Sequence, residues 1–303
     1  MSDAALPTVR RHDQISSGRR AWLEFAESKV AVVALVVLTF LVSAAFLCSW
    51  IAPTDPYDLS TIDILDSRLP PGSQSATGTT YWLGTDGQGR DLLSAILYGL
   101  RLSIIVGCVS GIAAGVIGTS LGILAAYIGG RFDAFVMRVV DLQLSFPAIL
   151  LALILLAALG RGVEKVIIAL IAVQWAYYCR TVRSAALVEK TREYIEAAQC
   201  LGLGNRRILF QHLLPNCLAP VIVLGTIQVA NSIALEATLS FLGLGLPPTE
   251  PSLGLLISNG FEFVLSGQYW VSLFPGLALI ILIVCINLVG DQVRDVLNPR
   301  LQT

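Results

Sequence analysis

The residues best spaced for chemistry form no catalytic set. They sit in a polar connector between two long apolar runs: Tyr194-Ile195-Glu196-Ala197-Ala198-Gln199-Cys200-Leu201-Gly202, continuing through Asn205-Arg206-Arg207 to His212-Leu213-Leu214-Pro215. The chemistry on offer is mechanical docking. Ala197 and Ala198 leave a shallow surface on which a partner groove can close, and Gly202 permits a bend that a larger side chain resists. Glu196 adds a polar anchor, and Arg206 and Arg207 add surface charge. The connector runs from about residue 180 to 216, carries six of the 20 basic residues, and is helix-compatible up to Leu201. Asn205 can cap a second short helix that Pro215 closes. This predicts a helix, a bend and another helix; an ordinary solvated helical loop is the other reading.

Other chemistries fare worse. Gly118-Thr119-Ser120-Leu121-Gly122 matches the serine-hydrolase elbow pattern, but no strand precedes it and the only histidines, His12 and His212, lie away from membrane depth. The six cysteines stand singly, mostly inside apolar runs, without metal spacing, and read as small buried hydrophobes. No catalytic residue and no metal site is expected. No Gly-Lys pair occurs, so a phosphate-binding loop is missing from the sequence.

The elements that position the connector follow from composition. The 303 residues are 55% hydrophobic and 14% charged, with mean hydropathy +0.75, whereas soluble chains carry about 25% charged residues. The bilayer is the solvent, and nucleic-acid binding has no support. An all-α, polytopic bundle of six membrane spans is predicted. Residues 1–29 form an arm in which Trp22, Leu23, Phe25 and Ala26 alternate with charge, as in an interfacial helix; for its first fifteen residues a disordered basic tail is an equal reading. Residues 30–52 make the first span, and residues 53–101 an exposed extracytoplasmic segment rich in Pro, Gly and Asp that includes an interfacial helix. The core, 102–293, holds five spans: 102–128, one ending at Leu159 after a brief polar turn at 129–141, one from Val166, one from Cys217 bent at Pro220, and one from Val271. It includes the connector and a loop at 242–270; the tail is 294–303.

In the second span Gly107, Gly111, Gly115, Gly118 and Gly122 recur on one helical face and are expected to pack against another span. Gln228, Asn231 and Glu236 are spaced to lie roughly along one face of the fifth, as pore-lining groups or as hydrogen-bonded packing groups. Six crossings put both termini and the connector on one side, which holds 15 of the Lys and Arg residues against 5 opposite. By the positive-inside rule that side is cytosolic.

The connector's spacing, Glu-Ala-Ala, three residues, Gly, nine residues, His-Leu-Leu-Pro, resembles the coupling loop of ATP-binding-cassette importer permeases. Leu83-Gly84-Thr85-Asp86-Gly87-Gln88-Gly89-Arg90-Asp91 resembles the signature of their dipeptide, oligopeptide and nickel branch, and the stretches 236–245 and 287–295 are similar to that branch too. As a ligand site the Asp86 to Asp91 turn competes with simple capping of a helix starting near Asp91. The resemblance covers about residues 22–300; Leu253 stands where relatives often carry Trp, and Pro247-Pro248 sits slightly early. It implies an inner-membrane permease subunit importing di- or oligopeptides, nickel or a related small solute. It also implies a heterodimer with a homologous permease, two cytosolic ATPase subunits holding ATP and Mg²⁺, an extracytoplasmic solute-binding protein, and no cofactor in this chain. A gradient-driven carrier and a polytopic membrane enzyme are the competing classes. A carrier wants ionisable groups near mid-membrane, where only Glu236 is a candidate, toward the outer end of its span.

Overall fold

Asp91 starts the longest helix as a cap: its Oδ2 accepts from the Ser94 amide at 2.8 Å and the Ser94 hydroxyl at 2.6 Å. The computed structural model describes residues 17–58, 63–75 and 78–297; residues 1–16 of the arm and 298–303 of the tail fall outside them. In order come α1 (Ser17–Glu27), α2 (Lys29–Phe46), α3 (Cys48–Ile51), a two-stranded ribbon of β1 (Ser73–Gln74) and β2 (Thr80–Tyr81), α4 (Leu92–Ile128), α5 (Gly130–Leu144), α6 (Ala148–Leu159), α7 (Val163–Lys190), α8 (Glu193–Cys200), α9 (Asn205–Arg207), α10 (Leu214–Phe241), α11 (Leu253–Phe261) and α12 (Trp270–Leu297). Among the described residues five stretches are long and apolar enough to cross a bilayer, and α5 with α6, bent by 91°, would make a sixth if the bent pair is one broken span rather than a re-entrant loop. The outward faces suit lipid: Val33, Val36 and Phe40 of α2 are more than 60% exposed.

The glycine stripe sets the packing. A Cβ on Gly118 would lie 2.3 Å from the Trp175 carbonyl oxygen, and one on Gly122 would lie 2.6 Å from that of Cys179, so α4 and α7 meet backbone to backbone. Farther along, Gly107 and Gly111 face Ile233 and Val229 of α10 instead, with Gly115 against Tyr178. One glycine face therefore serves two neighbours, because α7 and α10 share the groove side of α4. Two ion pairs fasten α5 to α7: Arg183 to Asp133, with Nη2 to Oδ2 at 2.6 Å, and Arg180 to Asp141.

Several expectations need correction. Residues 130–144 are a helix, α5, where a brief turn was expected. The apolar run after it is only 12 residues, about 18 Å at 1.5 Å per residue, too short to cross alone. Pro147 breaks the path between the two. Helix α4 begins at Leu92, ten residues before residue 102. The Gly84 to Asp91 stretch is largely buried rather than exposed, with Thr85, Asp86, Arg90 and Asp91 at 3% exposure or less. Arg90 Nε donates to Asp86 Oδ2 at 2.7 Å, and Gly89, at φ +83°, is where a Cβ would strike the Asp63 carbonyl at 2.1 Å. Burial pushes the Asp91 carboxyl up, and hydrogen bonds from Ser94 pull against that. The 242–270 loop likewise contains α11, whose Leu253 to Leu256 turn is buried against α10 and α12. Gly254 allows that approach, since a Cβ there would meet the Ala237 carbonyl at 2.1 Å. Finally, Cys200 is exposed and Cys108 half-buried, so not every cysteine is a core residue.

Candidate functional site

Helix α8 presents two faces. Ile195 and Ala198 turn inward onto Ile208, with Tyr127 and Leu203 beside them. Glu196, Ala197, Cys200 and Leu201 are exposed, and Leu201 keeps 79% of its surface. The shallow docking surface expected from both alanines therefore rests on Ala197 alone, since Ala198 is needed inside. Glu193 and Glu196 in the first turn oppose the positive end of the helix dipole and favour helix there.

The helix ends at Gly202, whose φ of +73° is left-handed. The Leu203 amide returns to the Ala198 carbonyl at 3.2 Å and the Gly202 amide to that of Gln199 at 2.9 Å, the two bonds of a Schellman stop. Gly204 precedes the next helix, so Asn205 is its first residue and not its cap. Pro215 does not close that helix either. Residues 208–213 widen into a π-turn, with the Leu214 amide bonded to the Leu209 carbonyl, and the helical path runs from Asn205 to Phe241. In a regular helix the proline ring collides with the carbonyl four residues back; a wider turn relieves this. His212 is half-buried in the turn and Leu214 packs partly into the core, whereas Arg206, Arg207 and Pro215 are exposed. Arg207 Nε donates to Gln211 Oε1 at 2.9 Å.

Polar struts tie this unit to the bundle. Lys190 Nζ donates to the Tyr127 carbonyl at 2.9 Å and the Ala126 carbonyl at 3.2 Å, capping the end of α4. Tyr127 Oη donates to Asn205 Oδ1 at 2.8 Å, and Tyr194 Oη donates to Glu189 Oε2 at 2.8 Å while accepting from Asn216 Nδ2 at 3.0 Å. Partial burial and then the Glu189 bond push the Tyr194 phenol up to about 12, so it remains a neutral donor. Tyr127 and Lys190 escape sequence reasoning because their partners lie far along the chain or are backbone carbonyls. A double-mutant cycle of Tyr127→Phe with Asn205→Ala, read by thermal unfolding, is expected to give about 0.5–1 kcal/mol of coupling; independent effects would remove the strut.

The three residues of α10 expected to line a pathway, Gln228, Asn231 and Glu236, do not share a face. Gln228 and Asn231 do line one cavity, of about 350 Å³, with Ala148 of α6 and Gln174 and Tyr177 of α7. Glu236 points elsewhere and is fully buried. Its Oε2 accepts from Ser103 and its Oε1 from Ser240 and Ser252, each at 2.9 Å. Eight residues separate Gln228 from Glu236, an angular offset of about 80° at 3.6 residues per turn. The carboxylate joins α4, α10 and the start of α11, with three hydroxyl donors standing in for water. Gln174, Tyr177 and Thr238 were missed; a polar residue inside an apolar run was their only signal.

The chain's relatives agree with this architecture. The family described as binding-protein-dependent transport system inner membrane component matches residues 118–303, and the N-terminal TM domain of oligopeptide transport permease C matches residues 16–71. The dipeptide transport system permease protein DppC of Haemophilus influenzae is 35% identical over 281 residues, covering 93% of this chain and 94% of the relative. The protein of the same name from Escherichia coli K12 is 40% identical over 282 residues, 93% and 92% of the two chains. Among solved structures, an inward-facing conformation of the MetNI methionine ABC transporter superposes with TM-score 0.56 at 23% identity, covering 68% of this chain and 97% of that one.

Proposed function

We propose, because this chain belongs to the family of binding-protein-dependent transport system inner membrane components, that it forms half of a peptide translocation pathway and is driven through α8 by a cytosolic ATPase. It is a multi-pass inner-membrane permease. In the proposed assembly a homologous permease supplies the other half, two ATPase subunits hold ATP and Mg²⁺, and an extracytoplasmic binding protein delivers a di- or oligopeptide. Both termini and α8 then face the cytosol, as the distribution of Lys and Arg favours. The observation that carries this reading is the two-faced α8, whose inner side is locked into the bundle while Glu196, Ala197, Cys200 and Leu201 are left for a partner.

The residues suggest how motion would pass inward. A push on α8 reaches Ile208 and the π-turn through Ile195 and Ala198, and reaches the end of α4 through Asn205 and Tyr127. From the π-turn it continues without a break into α10, which borders the polar cavity. Glu196 would anchor the groove's edge, and Arg206 and Arg207 would meet acidic surface on the ATPase.

The assembled transporter in proteoliposomes tests this. Uptake of a labelled dipeptide is expected to stop with vanadate and to continue with a protonophore. The reverse pattern would identify a gradient-driven carrier and overturn the reading.

A further inference from the structure

Midway through the bundle, α6, α7 and α10 surround the cavity of about 350 Å³, near the lower end of the range of about 300–1,000 Å³ for small-molecule sites. Gln174 lies eleven residues into α7 and Asn231 ten residues before the end of α10, about 16 Å and 15 Å at the helical rise. Half of a hydrocarbon core is about 15 Å. Measured from those helix ends, the cavity lies about half a hydrocarbon core deep.

Its polar wall consists of carboxamides and hydroxyls: Gln174, Gln228, Asn231, Tyr177 and Thr238, with no Asp, Glu, Lys or Arg among the described residues that line it. Polar groups at this depth are costly unless paired or used. Several are paired. Gln174 Nε2 donates to Ser232 Oγ at 2.6 Å, Ser232 Oγ donates to the Gln228 carbonyl at 2.9 Å, and Asn231 Nδ2 donates to Gln228 Oε1 at 2.9 Å. Gln174 Oε1 is the exception: the residue is 1% exposed, yet this oxygen has no hydrogen-bond partner among the described residues. Its amide nitrogen is held by Ser232, which fixes the side chain and leaves a buried acceptor unsatisfied.

Such a wall suits one kind of solute. A carboxamide offers an acceptor to an ammonium or amide N–H and a donor to a carboxylate or carbonyl, so Asn and Gln can solvate both ends of a zwitterion. A fixed charge would hold one end and repel the other. We infer that this cavity is a transit site for the main chain of short peptides, with the carboxamides of Gln174, Gln228 and Asn231 forming its polar wall and Asn231 meeting either terminus, and that its neutrality keeps passage indifferent to side-chain charge. This rests on the permease reading above and adds the part of the solute that is recognised.

The test uses the complete reconstituted transporter with neutral, acidic and basic dipeptides, each rate normalised to its affinity for the binding protein. Asn231→Asp is expected to lower acidic relative to neutral dipeptide uptake by roughly ten-fold, equivalent to about 1.4 kcal/mol, and Asn231→Lys to lower basic dipeptides instead. Gln174→Leu, which keeps the bulk, should slow all three classes together. If both Asn231 variants leave the ratios unchanged while Glu196→Lys stops uptake, the transit site is wrong and the permease reading stands. If Glu196→Lys leaves uptake normal, the reading falls and the inference with it.

Discussion

Glu196→Lys and Gly202→Val are expected to leave the protein in the membrane at normal levels and to abolish ATP-linked uptake, for different reasons. Glu196 is exposed on α8, so reversing its charge costs the fold only the fraction of a kcal/mol due to the helix dipole. At a closed interface the same change leaves a mismatched charge, worth about 2 kcal/mol or more, or roughly 30-fold in docking. At Gly202 a Cβ meets nothing within 4 Å, so space does not restrict it. Its φ of +73° does. A left-handed residue costs about 1–2 kcal/mol, and a β-branched side chain is worse placed than most. Valine should therefore unwind the end of α8 and turn its outer face away from the partner, whereas Gly202→Asn, which tolerates that conformation, should keep most uptake. Membrane level by immunoblot, with uptake and ATPase rates in proteoliposomes, separates these outcomes; full uptake by Glu196→Lys and Gly202→Val would end the coupling account.

That contrast shows which features could be read from residues alone. Gly202 was legible as a bend because glycine after a helical run has few other uses, and the five long apolar spans were legible because hydrocarbon length is a hard constraint. The inward face of α8 was not. Ala197 and Ala198 are identical in type, and only the position of Ile208, brought back by the turn, decides which one is buried. For the same reason α5 looked like a turn: its Arg and Asp residues read as surface charge until Arg183 of α7 is placed beside Asp133. Pro215 reads as a stop unless the π-turn before it is known. Glu236 looked like a pathway residue, yet its partners come from α4 and from the loop before α11, 133 and 16 residues away. In each case the missing information was a tertiary neighbour, which propensity and periodicity do not encode.

The same distinction gives the largest effect expected on the fold itself, Gly118→Ala. By sequence the five stripe glycines of α4 are equivalent, but their surroundings are not. An alanine Cβ at 118 would sit 2.3 Å from the Trp175 carbonyl oxygen, 2.6 Å from Tyr178 Cβ and 2.9 Å from the Cys179 amide nitrogen. Two of these are backbone atoms of a 28-residue helix, so no rotamer change can clear them and α7 must move. Overpacking of this kind costs about 3 kcal/mol, and the helix pair it separates is the most extensive among the described residues. At Gly115, only one helical turn away, the nearest atoms are Tyr178 Cε1 and Cζ at 3.4 and 3.5 Å, ordinary contact. Gly115→Ala should accumulate normally and even gain slightly from helix propensity, which favours Ala over Gly by about 1 kcal/mol in a helix interior. Gly118→Ala should show a lowered thermal midpoint in detergent and poor accumulation. Equal behaviour of the two variants would mean that α4 and α7 do not meet along this seam, and the path proposed from α8 into the bundle would lose its frame.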